Sequence, residues 1–90
     1  MTSDDVIVNE DPKWTKAVLR NPFIVSLSTD LGNDLTLHTA EPYVIVSAPS
    51  FVLAFELKDK NRDLTFRDLI AYATEKAYEE LKYRNEFDML

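Results

Sequence analysis

Tyr43-Val44-Ile45-Val46-Ser47-Ala48-Pro49-Ser50-Phe51-Val52-Leu53-Ala54-Phe55-Glu56-Leu57 is the stretch that decides the fold. Tyr43 to Ser47 is a continuous β-branched run, as expected of a central strand covered on both faces. Phe51 to Leu57 alternates, with the large residues Phe51, Leu53, Phe55 and Leu57 on one face and Val52 and Ala54 on the other. Ala48-Pro49-Ser50 has room only for a turn, so the two strands pair antiparallel. A sheet built on this pair needs cover on both sides, and the flanking sequence supplies it.

Towards the N-terminus, Leu35-Thr36-Leu37-His38-Thr39 alternates and Glu41-Pro42 breaks it. Asp30-Leu31-Gly32-Asn33-Asp34 is a turn, with the single glycine where positive φ is needed. Before it, Phe23 to Thr29 sets Phe23, Val25 and Leu27 against Ile24, Ser26 and Ser28. The result is a four-stranded antiparallel β-meander. Asp11-Pro12 starts a short helix, because an aspartate can cap it and proline suits its first position. Trp14, Ala17 and Val18 form its apolar face, and Asn21-Pro22 ends it. Residues 1–10 read as a flexible acidic tail, in which Val6-Ile7-Val8 is too short a run to count as a strand.

Towards the C-terminus, Lys58 to Asp63 is a charged loop. Thr65-Phe66-Arg67-Asp68 has the form of a capping box, with Leu64 and Leu69 placed as a hydrophobic staple. The helix that follows runs from Phe66 to about Arg84, with Phe66, Leu69, Ile70, Ala73, Ala77 and Leu81 in one stripe. Glu80 and Arg84 are spaced as an ion pair. The chain is thus a single α+β domain over residues 11–85, with a short N-terminal helix, the meander and a long C-terminal α-helix packed on one sheet face. Residues 86–90 form an acidic-hydrophobic tail. The second sheet face is covered either by the Trp14 helix, giving three layers, or by a second copy of the sheet. Its apolar content favours the second arrangement, a homodimer.

Composition narrows function by exclusion. The 90 residues carry sixteen acids against ten Lys and Arg, a net charge of −6. No Lys or Arg occurs between Arg20 and Lys58, while Asp30, Asp34, Glu41 and Glu56 all fall in that interval. A sheet so depleted of cations does not suit direct nucleic-acid binding, which needs Lys and Arg against phosphate. It suits a basic protein surface, or mimicry of nucleic acid. There is no cysteine, no basic-apolar leader and no apolar run of membrane-spanning length, which fits the cytoplasm (the host's, if viral) and no membrane partner.

The residues of catalysis are sparse. His38 is the only histidine, and no serine lies in a nucleophile elbow. Asp30, Asn33 and Asp34 do not have calcium-loop spacing, and one glycine cannot make a phosphate loop. The expectation is a non-enzymatic protein with no catalytic residue, metal or cofactor. Candidate partner-binding residues are the anchor Trp14, the acids Asp30, Asp34 and Glu41, the helix tyrosines Tyr72 and Tyr83, and the tail residues Phe87, Met89 and Leu90. The segment Glu86-Phe87-Asp88-Met89-Leu90 loosely resembles the acidic-hydrophobic peptides that dock on bacterial sliding clamps, without their usual Gln. No family resemblance spans the chain. The expected function is that of a small accessory protein of virus or phage type, an inhibitor or adaptor that acts on a host defence or nucleic-acid-handling complex by occlusion or charge mimicry. The alternative is a self-associating structural or assembly subunit, for example of a virion.

Overall fold

A computed structural model describes residues 5–58 and 64–84. The element order is β1 (Val6–Asn9), α1 (Pro12–Arg20), β2 (Leu27–Gly32), β3 (Leu35–Ala40), β4 (Tyr43–Ser47), β5 (Val52–Leu57) and α2 (Phe66–Tyr83). All strands join one antiparallel sheet in the order β1-β5-β4-β3-β2. β4 is the middle strand, and its Val44, Ile45 and Val46 are wholly buried. The unbroken apolar run reflects cover on both faces.

One face packs on α2. Val44, Val46, Leu53 and Phe55 meet Leu69, Ala73, Ala77 and Leu81 in one cluster, with Phe51 and Leu57 at its margin. The small alanines let the helix approach the sheet, and the larger residues fill the space beside them. Each buried Leu or Phe contributes about 1.5–3 kcal/mol. Thr65 caps α2 by accepting from the Asp68 amide at 3.2 Å, while the Asp68 carboxylate accepts from the Thr65 amide at 2.8 Å. The expected capping box is therefore present. Arg84 donates to Glu80 at 2.8 Å near the other end.

The opposite face packs on α1. Val18 lies against Ile45 and Ala54, flanked by Trp14, Leu19, Ile24, Tyr43 and Val52. Trp14 and Tyr43 meet edge to face, with centroids 5.1 Å apart. The chain is three layers, helix–sheet–helix, and α1 buries the face that sequence analysis offered to a second sheet.

Three details differ from expectation. The sheet has five strands, because Val6–Asn9, placed in the acidic tail by sequence, pairs with β5 from Val6↔Leu57 to Asn9↔Ala54. Val6 is buried, so one inward side chain suffices to anchor a strand of four residues. β2 begins four residues later than the alternation from Phe23 implies. The Phe23 amide donates to Asn21 Oδ1 at 2.9 Å and the Ile24 amide to the Asn21 carbonyl at 3.1 Å, so Asn21 to Ile24 is a turn rather than extended chain. In α1, Thr15 is buried and Ala17 exposed. The Thr15 hydroxyl donates to the Asp11 carbonyl at 3.0 Å, which removes the cost of burying it.

Candidate protein-binding surface

The surface is built from the β2 edge outward. Among the described residues β2 pairs only with β3 and ends the sheet, so alternate backbone N–H and C=O groups along its outer side have no described strand beside them. Every residue of β2 except Leu31 is exposed. The chain entering it is apolar and exposed as well: Phe23 is 93% exposed, Val25 83% and Leu27 69%. Ile24, between the first two, turns inward to the α1 cluster. That inward residue holds the segment against the protein and leaves Phe23 and Val25 facing water. Scattered apolar residues are ordinary on a surface, but three at successive odd positions next to an open strand edge are not.

The register distributes the acids around this edge. β2 and β3 are joined through Asn33 and Asp34, both at positive φ (54° and 61°), the conformation of a tight hairpin turn. Gly32, with φ of 86°, stands at a bulge between Asp30 and the turn. The Asp30 carboxylate accepts from the Gly32 amide at 2.9 Å. Asp30 and Asp34 line one open groove of about 530 Å³ with Thr36 and Pro49. Glu41 lies at the far end of β3, in the connection to β4 that contains a cis Glu41–Pro42 bond. Six residues of β3 separate Asp34 from Glu41, roughly 20 Å at strand rise. Because Leu27 pairs with Thr39, Glu41 stands where β2 begins and Asp30 and Asp34 where it ends. The three acids thus bracket the edge and do not form a single patch.

The other candidate residues divide. Trp14 is half-buried against Tyr43 and anchors α1. Tyr72 is half-buried, edge to face with Phe55 at 6.1 Å, and Lys76 Nζ lies 5.4 Å from its ring centroid. Both residues therefore have structural partners. Tyr83 is 84% exposed on the last turn of α2, away from these contacts. Phe87, Met89 and Leu90, and the tail they belong to, lie outside the described residues, as do residues 1–4 and 59–63.

Three polar contacts were not anticipated. Ser28 Oγ is 2.9 Å from His38 Nδ1, and His38 Nε2 is 3.1 Å from Ser47 Oγ. A neutral imidazole has one donor and one acceptor nitrogen, so the ring links three strands through two hydroxyls. Burial holds His38 below its ordinary value of 6.5, which keeps it neutral near neutrality. Its alternating position in β3 was visible in the sequence, but the serines that reach it came together only through strand order. The Tyr78 hydroxyl donates to the Leu31 carbonyl at 2.9 Å and ties α2 to β2. Nothing in the local sequence marks that bond, which spans 47 residues.

Among the described residues no group of three or more His, Cys, Asp or Glu side chains is placed to hold a metal ion, and no helix is long and apolar enough to cross a membrane. A second groove of about 430 Å³ runs between α1 and the β4–β5 turn, with Pro12, Lys16 and Leu19 on one side and Pro49, Phe51 and Val52 on the other. Comparison with protein-family models, curated proteins and solved structures gives no match.

Proposed function

We propose that this chain is a non-enzymatic accessory protein that binds another protein through the β2 edge and acts by occlusion. The observation that carries the reading is the exposed run Phe23, Val25 and Leu27 leading into an edge strand, with no described strand on its outer side, bracketed by Asp30, Asp34 and Glu41. Apolar side chains supply contact area at the centre of such an interface, and the acids select a basic partner surface and speed encounter with it. A cytoplasmic inhibitor or adaptor of virus or phage type, covering the basic site of a host defence or nucleic-acid-handling complex, is the setting in which this surface has a use. The fold by itself does not choose that setting.

Capture from a lysate of the native host, using the wild-type chain and a variant with Asp30→Lys, Asp34→Lys and Glu41→Lys, tests the proposal. The expected result is one stoichiometric basic protein with the wild type. With the variant, association is slower and less sensitive to salt. Association kinetics unchanged by the triple reversal would refute the charge-guided reading. Recovery of the chain alone as a defined oligomer would favour the other use of an open strand edge, a self-associating structural or assembly subunit.

A further inference from the structure

We infer that β2 is completed by an extended, cationic segment of the partner, which adds as a sixth strand with a Lys or Arg near each end and apolar residues between them. The inference rests on the protein-binding reading above and names the partner's local structure and charge. An exposed edge has two generic occupants, a second copy of the same strand or a strand from another protein, and the charge pattern distinguishes them. In an antiparallel pairing of two β2 strands, the end carrying Asp30 and Asp34 in one copy meets the end carrying Glu41 in the other. Acids then oppose acids at both ends of the seam, and each copy already carries a net charge of −6. The stretch between Arg20 and Lys58 supplies no cation to offset this. A foreign strand with a cation near each end meets Glu41 at one end and Asp30 with Asp34 at the other. Strand hydrogen bonds do not depend on side-chain identity, so the alternating side chains set selectivity.

The other edge of the sheet is the poorer site. β1 is four residues long against six for β2. Its neighbour β5 ends beside Lys58, whose amide donates to the Asp5 carbonyl at 2.8 Å. The β2 edge is longer, free of nearby cations in sequence, and continuous with the exposed Val25 and Leu27. Incoming apolar residues on the Leu27 side of the sheet would cover that side chain, and polar residues would fall on the Ser28 and Asp30 side.

The test uses the full chain and four synthetic peptides. One is Lys-Val-Thr-Val-Thr-Val-Lys, with Lys and Thr on one face and Val on the other; the second carries Glu in place of both Lys, and the other two are the same sequences with every backbone amide N-methylated. The cationic peptide is expected to bind and to slow amide exchange in Leu27 to Leu31, with protection alternating along the strand. Its affinity should fall about tenfold or more on N-methylation, and by a similar factor in the Asp30→Asn, Asp34→Asn, Glu41→Gln variant. The anionic peptides should not bind. Equal binding of the cationic peptide and its N-methylated form would overturn strand addition while leaving charge-guided protein binding intact. Absence of binding by the cationic peptide would overturn the inference. A dimer in sedimentation that is abolished by Leu27→Lys would then assign the edge to a second copy.

Discussion

Two phenylalanines at opposite extremes of exposure test the division of this molecule into core and contact surface. Phe55 is 2% exposed and Phe23 is 93% exposed. Truncating Phe55 to alanine removes the ring from the sheet–α2 interface, including its edge contact with Tyr72. The expected loss is about 3–5 kcal/mol, a large part of the stability of a small domain. Truncating Phe23 removes a ring of about 200 Å² of which less than a tenth touches protein, so the lost burial is worth ~0.4 kcal/mol. Urea unfolding followed by fluorescence of the single tryptophan measures both. Trp14 packs against Tyr43 in the α1 layer and reports tertiary structure. A loss above ~1.5 kcal/mol for Phe23→Ala would show that Phe23 is packed, and the argument for a contact surface would fail. Near-neutral stability together with weakened partner capture would establish the opposite, a residue kept apolar for a reason other than folding.

Four further outcomes follow from the contacts. Thr65→Ala removes the cap of α2 and should cost about 1 kcal/mol, read as a drop of roughly 4–8 °C in thermal midpoint. Thr65 also holds the Asp68 carboxyl below its ordinary 3.8, chiefly through the Thr65 amide. That contribution is present above 3.8 and disappears as pH falls through the lower native value, so Asp68→Asn should flatten the acid side of the stability profile. His38 is also depressed in the native state, from an ordinary 6.5. Its contribution is complete above 6.5 and lost as pH falls below it, and urea midpoints measured on either side of that value should converge in His38→Gln. Tyr78→Phe should cost about 1 kcal/mol and speed amide exchange in β2, because the Leu31 carbonyl loses its donor.

Much of the fold was legible because local and global preferences agree. The run at 43–47 reads as a covered strand and is one, and Thr65 and Asp68 read as a capping box and form it. Gly32 takes the positive φ expected of it. Reading was less accurate where one side chain redirects the backbone. Asn21 closes a turn that cuts short the alternation from Phe23, and the Thr15 hydroxyl finds a carbonyl that lets it displace Ala17 from the buried face. At the candidate surface, sequence identified Asp30, Asp34 and Glu41 as unopposed acids, but only strand register shows that they stand at two ends of one edge. The exposure of Phe23 and Val25 was not legible, because their pattern is that of a core strand.

The position of β1 has a consequence for how the molecule assembles. Each neighbouring pair from β2 to β5 is joined by a short connection, so these four strands can form from contacts local in the chain. β1 pairs with β5 across the interval from Asn9 to Ala54. Closing that interval costs about 3 kcal/mol in chain entropy by the logarithmic law, and the return is one short strand with a single buried valine. β1, synthesised before the four strands it joins, is therefore the last to zip into the sheet and the first to open. Pulse-labelled exchange should show the amides of Val6–Asn9 gaining protection after those of Tyr43–Ser47, and the α1 layer, tethered directly behind β1, settling with it.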